Sequence, residues 1–139
     1  GGGIDTAFLG FGEIDQNGNV NVSRIGDRII GPGGFIEISQ TAKKIVFCGT
    51  FETKGLEVDI DENCVSIKNY GKIKKLVRKV NQITFNGKRA IQSGQKVLYI
   101  TERAVFELTP KGIQLIEVPV GIDKQKDIIK RMEFKPLIH

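Results

Sequence analysis

The chain has 139 residues, of which 40% are hydrophobic and 27% are charged, and its formal net charge is +5. This composition is typical of a soluble globular protein, and the length allows one compact unit or part of one. No apolar run approaches the roughly 20 residues that a membrane-spanning helix needs, so an integral membrane protein of the helical type is not predicted.

The histidine and cysteine content limits the chemistry that this chain can carry. Its single histidine is the terminal His139, so catalytic triads built on histidine and zinc sites built on several histidines are close to excluded within these residues. We therefore predict no metal site. Cys48 lies in an apolar run, which predicts a small buried thiol, and Cys64 is not paired with it in a C-x-x-C motif. Two free thiols are favoured over one disulfide bond.

The positive charge is concentrated in the middle of the sequence. Residues 63–101 carry nine Lys or Arg and no Asp or Glu. A solvated edge hairpin explains this basic block most simply, since lysine protects exposed strand edges from pairing. The functional alternative is attraction of a polyanion such as a nucleotide cofactor.

Hydrophobic patterning and turn residues predict a chain rich in strands. The predicted strands are residues 4–11, 20–22, 45–50, 58–60, 65–67, 83–85, 97–101, 105–108 and 113–118. The fully apolar run 45–50 is predicted to be central in a sheet with both faces covered. Turns are predicted at 15–19, around the Asn-Gly pair, and at 61–63, 69–71, 86–87 and 109–112.

Only two short helices are predicted. Ser39 is a plausible N-cap for a helix over residues 40–44, and Asp123 is one for a helix over residues 124–132, followed by a tail at 133–139. A doubly wound domain usually has about one helix for each parallel strand. The shortage indicates that helices covering this sheet come from elsewhere in a longer protein, and the absence of an initiator Met agrees with this expectation.

The sequence Gly31-Pro32-Gly33-Gly34 interrupts the chain between two apolar stretches. A phosphate-binding loop would have a long helix starting at the glycines and usually a Lys-Ser/Thr pair, and neither is predicted here. The better interpretation is a bare backbone loop whose amides point into a pocket, because glycine lets a substrate approach the backbone closely. A plain turn remains the alternative.

Four stretches, in this order, resemble the C-terminal part of the family I coenzyme A transferases. They are GGGIDTAFLGFGEIDQNGNVNVS, GPGGFIEISQTAKKIVFCGTF, LYITERAVFELTPKGIQLIEV and GIDKQKDIIKRMEFKP. The resemblance is to the acetate/propionate and short-chain acyl-CoA:acetate types, and it runs through nearly the whole chain. It implies an α/β fold of the NagB/RpiA/CoA transferase-like kind, of which residues 1–139 form a strand-rich part of an open mixed/parallel sheet with few helices.

The resemblance implies a two-stage exchange through a covalent enzyme intermediate. A glutamate carboxylate attacks the acyl-CoA, and an acyl-glutamyl anhydride forms. CoA thiolate then attacks this anhydride to give a glutamyl-CoA thioester and a free acid, and a second carboxylic acid takes the CoA by the reverse steps. Coenzyme A is thus a substrate, and no metal is needed. Each tetrahedral stage calls for N–H donors directed at an oxyanion.

The nucleophilic glutamate of relatives belongs to a Glu-x-Gly-x-x-Gly-like loop upstream of the segment that matches Gly1 to Gly3. We therefore expect it to be absent from these residues. Glu13, Glu37 and Glu102 are available carboxylates, but none matches the nucleophile's motif, so none is assigned that role.

The resemblance places the oxyanion loop at Gly33 and Gly34, where the backbone N–H of Gly34 corresponds to the oxyanion donor. It also places an asparagine of the preceding turn and strand at this site. Asn21 is the candidate, and Asn19, which is two residues earlier and therefore faces the same side of the strand, is the alternative. No Lys or Arg of the basic block is assigned to a CoA phosphate.

The sequence thus predicts a fragment of a CoA transferase that acts on a short-chain acyl-CoA and a free carboxylate such as acetate or acetoacetate. Its partners would be these substrates and the remaining part of the same enzyme, in a cytoplasmic homo-oligomer without nucleic-acid or membrane binding. The alternatives are a basic, β-rich nucleic-acid-binding module and a non-catalytic assembly subunit.

Overall fold

The computed structural model describes residues 5–22 and 42–138, which form a mixed β-sheet with little helix. The strands are β1 (Thr6–Asp15), β2 (Val20–Val22), β3 (Lys44–Cys48), β4 (Glu52–Thr53), β5 (Glu57–Asp61), β6 (Cys64–Asn69), β7 (Ile73–Lys74), β8 (Leu76–Val77), β9 (Lys96–Ile100), β10 (Val105–Thr109), β11 (Gly112–Glu117) and β12 (Leu137–Ile138). Helix α1 spans Gly87–Gln92, and two irregular helical turns span Lys124–Ile128 and Ile129–Arg131.

The main sheet has eight strands in the order β12-β11-β10-β9-β3-β1-β2, with β8 beside β1. Strands β1, β3 and β9 are parallel, whereas β9, β10 and β11 form an antiparallel meander. The strand-rich, open mixed sheet with few helices is therefore confirmed. Within the described residues, no helix has the length and apolar character that crossing a membrane would require.

Strand β3 lies at the centre of the parallel part of the sheet, as its apolar sequence predicts. Phe47 of β3 lies between Leu9 of β1 and Tyr99 of β9, and all three side chains are buried. The Phe47 ring stacks on Tyr99 at 5.7 Å between centroids and meets Phe85 edge-on at 5.0 Å. Aromatic pairs of this geometry add to the stability gained from burial alone.

Strand β1 changes its partners along its length. It pairs with β3 as far as Gly10 and with β2 from Phe11 onward, and its last two residues also pair with β8. The β1–β2 ladder has a β-bulge between Phe11 and Glu13. A bulge bends and twists a strand. The second half of β1 therefore carries β2 and the following turn away from the direction of the parallel strands.

The predicted turn at the Asn-Gly pair is confirmed, and its glycine is required by its surroundings. The Asp15 Oδ1 atom accepts hydrogen bonds from the backbone N–H groups of Asn17 and Asn19 at 3.0 and 3.1 Å. Gly18 has φ +79°, and a Cβ atom there would lie 2.4 Å from Leu108. The Gly18 carbonyl accepts a hydrogen bond of 2.8 Å from the Tyr99 hydroxyl, which ties the turn to the core.

The connection between β3 and β9 forms two small ribbons outside the main sheet. Strands β5 and β6 form the predicted hairpin, and β4 pairs with β7. On the hairpin, Lys68 and Asp59 form an ion pair at 3.3 Å with both side chains about 60% exposed. The backbone N–H of Val65 donates to the Val120 carbonyl at 2.8 Å, so the hairpin is held against the segment after β11.

The prediction of a strand at residues 83–85 closed by a turn at Asn86-Gly87 is wrong, because a helix begins where the turn was predicted. Phe85 makes only an isolated bridge with Val20, and Asn86 is the N-cap of α1, with its side chain accepting from the Arg89 N–H at 3.0 Å. A Cβ on Gly87 would lie 2.3 Å from the Asn17 carbonyl oxygen, so glycine permits this close approach. The capping asparagine was the sequence signal of this helix.

Two predictions around the start of β3 need correction. The predicted helix at 40–44 lies outside the described residues at its start, but Lys44 already begins β3, because its neighbours pair with β1 and β9. Cys48 is exposed rather than buried, because it is the last residue of β3 and its aligned neighbours give it little cover: Gly10 has no side chain, and Ile100 is itself exposed. Both cysteines are free, as predicted.

The C-terminal region is less regular than the predicted helix at 124–132 and more ordered than the predicted tail. Asp123 is the N-cap, as expected, and its side chain accepts from the Lys126 N–H at 2.8 Å. The backbone carbonyl of Asp127 accepts a hydrogen bond of 3.0 Å from the Arg103 guanidinium. This carbonyl therefore bonds to a side chain instead of taking part in a regular pattern of helical hydrogen bonds. Residues 137–138 form β12, which pairs with β11 in parallel.

Candidate functional site

The parallel pairing of β1, β3 and β9 ends at one edge of the sheet, where β3 and β9 have their carboxyl ends. Gly10 of β1 is in register with Cys48 of β3, which is in register with Ile100 of β9. In open α/β sheets, ligands bind in the crevice outside the carboxyl ends of the strands. The residues that follow these ends therefore form the candidate substrate site. They include Thr50 and Glu102. Gly33 and Gly34, the predicted oxyanion loop, lie outside the described residues.

Asn21, the third predicted site residue, lies at the centre of β2 opposite Glu13 of β1. Its side chain is half-buried, and its Nδ2 atom is 3.4 Å from Glu13 Oε1. This long hydrogen bond uses one of the two amide hydrogens. The other hydrogen and the amide oxygen form no further hydrogen bond with the described residues.

Asn19 stabilises the turn instead of presenting its amide to a ligand. Its Oδ1 atom accepts from the Gly87 N–H at 3.0 Å, and its Nδ2 atom donates to Asp15 Oδ2 at 3.3 Å. Both ends of the amide are thus used in joining β1 to the start of α1. Between the two asparagines, Asn21 is the better candidate for a substrate contact.

Two of the three glutamates considered as nucleophiles, Glu13 and Glu102, lie in the described part of the chain, and both accept hydrogen bonds from other residues. Glu13 accepts from the Asn81 N–H at 3.2 Å as well as from Asn21. Glu102 accepts from the Phe51 N–H at 2.8 Å and pairs with Arg103 Nε at 2.5 Å. Both carboxylates thus accept hydrogen bonds that hold the fold together, which agrees with assigning neither residue that role.

A buried ionic cluster lies behind this edge of the sheet. Glu52 and Arg103 are fully buried, and Arg103 Nη2 lies 3.0 Å from Glu52 Oε1. The same carboxylate also pairs with Arg131 and accepts from the Gly71 N–H at 3.1 Å. The Arg103 guanidinium lies over the Phe51 ring, 4.5 Å from its centroid. The cluster joins β4, the turn after β9 and the C-terminal helical turns.

Tyr70 extends this cluster toward the C-terminal turns. Its hydroxyl donates to Asp127 Oδ1 at 2.5 Å, and its ring lies 4.0 Å from the Arg131 guanidinium carbon. The hydrogen bond to Asp127 raises the pKa of the Tyr70 hydroxyl above its ordinary value. Tyr70 therefore remains a neutral donor at physiological pH, and the contact holds the helical turns against the rest of the cluster.

Lys75 brings a positive charge to the same edge. Its Nζ atom lies 3.4 Å from Thr50 Oγ1 and 4.4 Å from the centroid of the Phe11 ring. Burial lowers the pKa of this ammonium group, and the charge of Glu102 partly opposes the shift. The sequence alone assigned no function to Lys75, because it stands among eight other basic residues of the block with no motif around it.

A separate cavity of about 500 Å³ opens between the turn after β1, the start of α1 and the β10–β11 turn. Asn19, Lys88 and Lys111 are among its lining residues. Of the predicted site positions it contains only the alternative, Asn19, whose side chain is engaged by the fold. Within residues 5–22 and 42–138, no group of three or more His, Cys, Asp or Glu side chains is placed to hold a metal ion.

Comparison with known proteins identifies the class to which this fold and edge belong. No protein-family profile matches the chain. It is 49% identical over 138 residues to the acetate CoA-transferase YdiF of Escherichia coli K12, and the match covers 99% of this chain and 26% of that protein. It is also 49% identical over 143 residues to the caffeate CoA-transferase of Acetobacterium woodii, covering 99% and 27% of the two chains.

The structural comparison gives the same result. The crystal structure of the YdiF apoenzyme from Escherichia coli O157:H7 superimposes with a TM-score of 0.88 at 47% identity, covering 97% of this chain and 26% of that one. The same enzyme has been solved as a thioester complex with CoA. The chain belongs to the family I coenzyme A transferases, and it spans about a quarter of the length of the relatives it matches.

Proposed function

We propose that the protein containing this chain is a CoA transferase that moves coenzyme A between a short-chain acyl-CoA and a free carboxylate. The observation that carries the proposal is the 49% identity, over 99% of the chain, to an acetate CoA-transferase and to a caffeate CoA-transferase. Identity at this level supports a common reaction, whereas the two names differ in the acid. The acid that we propose is a short-chain carboxylate of the acetate or acetoacetate type, as in the first of these relatives.

In this proposal, residues 1–139 form the C-terminal portion of the catalytic domain, and the rest of the enzyme supplies the nucleophilic glutamate. The engagement of Glu13 and Glu102 in hydrogen bonds of the fold supports a nucleophile outside the described residues. Phe8, on the face of β1 opposite the core, is 68% exposed, which supports a further part of the protein covering this face.

The reaction would proceed through a glutamyl-CoA intermediate, with this segment supplying the oxyanion site. The backbone N–H of Gly34, beside Gly33, would donate to the developing oxyanion, and the Asn21 amide would add a second donor. Such donors act strongly because they are already oriented when charge develops on the reacting oxygen. We further propose a cytoplasmic homo-oligomer. The comparisons give no support to the nucleic-acid-binding alternative.

The whole protein is expected to catalyse CoA exchange, and residues 1–139 alone are expected not to. The measurement is the formation of labelled acetyl-CoA from unlabelled propionyl-CoA and isotope-labelled acetate, followed by mass spectrometry. A reaction without acetate gives the background of thioester hydrolysis. Exchange by the isolated segment would contradict the missing-nucleophile part of the proposal, and no exchange by the whole protein with any short-chain acid would contradict the proposed function.

A further inference from the structure

The backbone of Lys75 is held at the edge of the sheet where the parallel strands β3 and β9 end. It lies between β7 and β8, and its carbonyl oxygen accepts a hydrogen bond of 2.8 Å from the Ile14 N–H of β1. Its side chain is half-buried and extends across the Phe11 ring to the Thr50 hydroxyl. The ammonium group is therefore held beside the residues that follow the end of β3, and its contacts restrict the conformations of the side chain.

This ammonium group has no carboxylate within ion-pair distance among residues 5–22 and 42–138. The charge of Glu102 partly opposes the lowering of the Lys75 pKa, but the Glu102 carboxylate already binds the Phe51 N–H and Arg103. Removing a cation from water without pairing it is unfavourable. Lys75 thus differs from Lys68, which stands exposed in an ion pair on the β5–β6 hairpin.

A partly desolvated cation that has no ion-pair partner among the described residues, at the ligand-binding edge of a parallel sheet, is suited to an anionic substrate. We propose that the Lys75 ammonium group and the Thr50 hydroxyl bind the carboxylate of the acid that accepts CoA. Lys75 would donate to one carboxylate oxygen. The Thr50 oxygen accepts from Lys75, so its own hydrogen is available to donate to the second oxygen.

The surroundings favour a carboxylate over the phosphates of CoA. One ammonium group and one hydroxyl, next to the face of an aromatic ring, provide few donors and one positive charge. A carboxylate carries one charge and two acceptor oxygens, whereas phosphate groups are usually recognised by several donors or by arginine. This inference rests on the proposed function, because it assigns a substrate to the reaction proposed above.

The kinetic test uses the whole transferase and the variants Lys75→Met and Lys74→Met. Methionine keeps most of the length of the side chain and removes the charge, and exposed Lys74 on β7 is the matched control. Lys75→Met is expected to raise KM for acetate about 10- to 100-fold, the range for loss of a hydrogen bond to a charged group, and to leave KM for the acyl-CoA unchanged. Lys74→Met is expected to change neither.

An acyl-pantetheine thioester, which lacks the phosphates of CoA, separates the two kinds of anion. If Lys75 binds the acid, the rise in KM for acetate persists with this donor. A Lys75→Met effect that appears as a raised KM for acyl-CoA and disappears with acyl-pantetheine would assign Lys75 to a phosphate and overturn the proposal. Equal KM values for acetate in the variant and the wild type would also overturn it.

A second measurement does not depend on turnover or on the folding of a variant. The wild-type protein is treated with an amine-acylating reagent in sodium acetate or in sodium chloride of equal ionic strength, and labelling is quantified by peptide mapping. Acetate is expected to protect Lys75 and not Lys74. Equal labelling of Lys75 in both salts would overturn the proposal. Protection in a protein without CoA exchange would contradict only the proposed function.

Discussion

Replacing Glu52 by Gln is expected to lower the free energy of unfolding by about 3 to 5 kcal/mol, the range for breaking a buried ion pair from one side. Glu52 is fully buried and faces two guanidinium groups, those of Arg103 and Arg131. Glutamine has nearly the same shape but carries no charge. Arg103, which has no exposed side-chain surface, would then remain buried with Glu102 as its one carboxylate partner in the described part of the chain.

Urea-induced unfolding of the chain measures this loss, and hydrogen exchange locates it. The Gly71 N–H, which donates to Glu52 Oε1 at 3.1 Å, should exchange faster in the variant. Asp59→Asn is the matched control, because it removes one carboxylate charge from an exposed pair with Lys68 and should cost less than about 1 kcal/mol. If the two variants lost the same small amount, the cluster would not hold the fold together.

Replacing Gly34 by Ala is expected to reduce kcat/KM of the whole transferase by about 100- to 1,000-fold, the effect of losing one oxyanion donor. The added methyl group would keep the reacting oxygen away from the backbone N–H that the proposal assigns to it. The midpoint of unfolding should change little. Steady-state kinetics and urea unfolding of the same preparation measure both quantities.

Gly94→Ala provides the opposite pattern as a control. Gly94 has φ +74°, where an alanine is strained by about 1 to 2 kcal/mol, and no other group lies within 4 Å of an added Cβ. This variant should therefore lose stability and keep its turnover. Unchanged turnover in Gly34→Ala would remove Gly34 from the site, and an equal loss of turnover in both variants would indicate a general effect of destabilisation.

The parallel centre of the sheet could be predicted because its sequence signals are local and consistent. The apolar run around Phe47 has the length and composition of a strand with both faces covered, and the Asn-Gly pair has the backbone preference of a tight turn. Each signal acts over a few residues. The structure satisfies them together, with Phe47 in the core and Gly18 at a positive φ.

The errors occur where long-range contacts outweigh local preference. Asn86-Gly87 is typical of a hairpin turn, but its contacts with the turn after β1 make it the start of α1. The segment around Asp127 has the pattern of a regular helix, yet its carbonyl is bound by a buried arginine from the β9–β10 turn. No pattern within either segment indicates these partners.

The assignment of Gly33, Gly34 and Asn21 to the site stays a prediction that rests on the family resemblance, and the sequence did not single out the charged residue at the edge of the sheet. Nothing in the sequence around Lys75 separates it from Lys74, although one is half-buried beside Thr50 and the other is exposed. The pairing of Glu52 with Arg103 likewise joins residues far apart in the chain. Burial and distance, which depend on the folded arrangement, distinguish these residues from their neighbours.

The most direct test of the account is to find where CoA becomes attached. The whole protein is mixed with acyl-CoA without an acceptor acid, quenched, digested and mapped for a CoA-derived thioester on a glutamate side chain. We expect one modified glutamate, located outside residues 1–139. A thioester on Glu13, Glu37 or Glu102, or turnover without any modified glutamate, would contradict it.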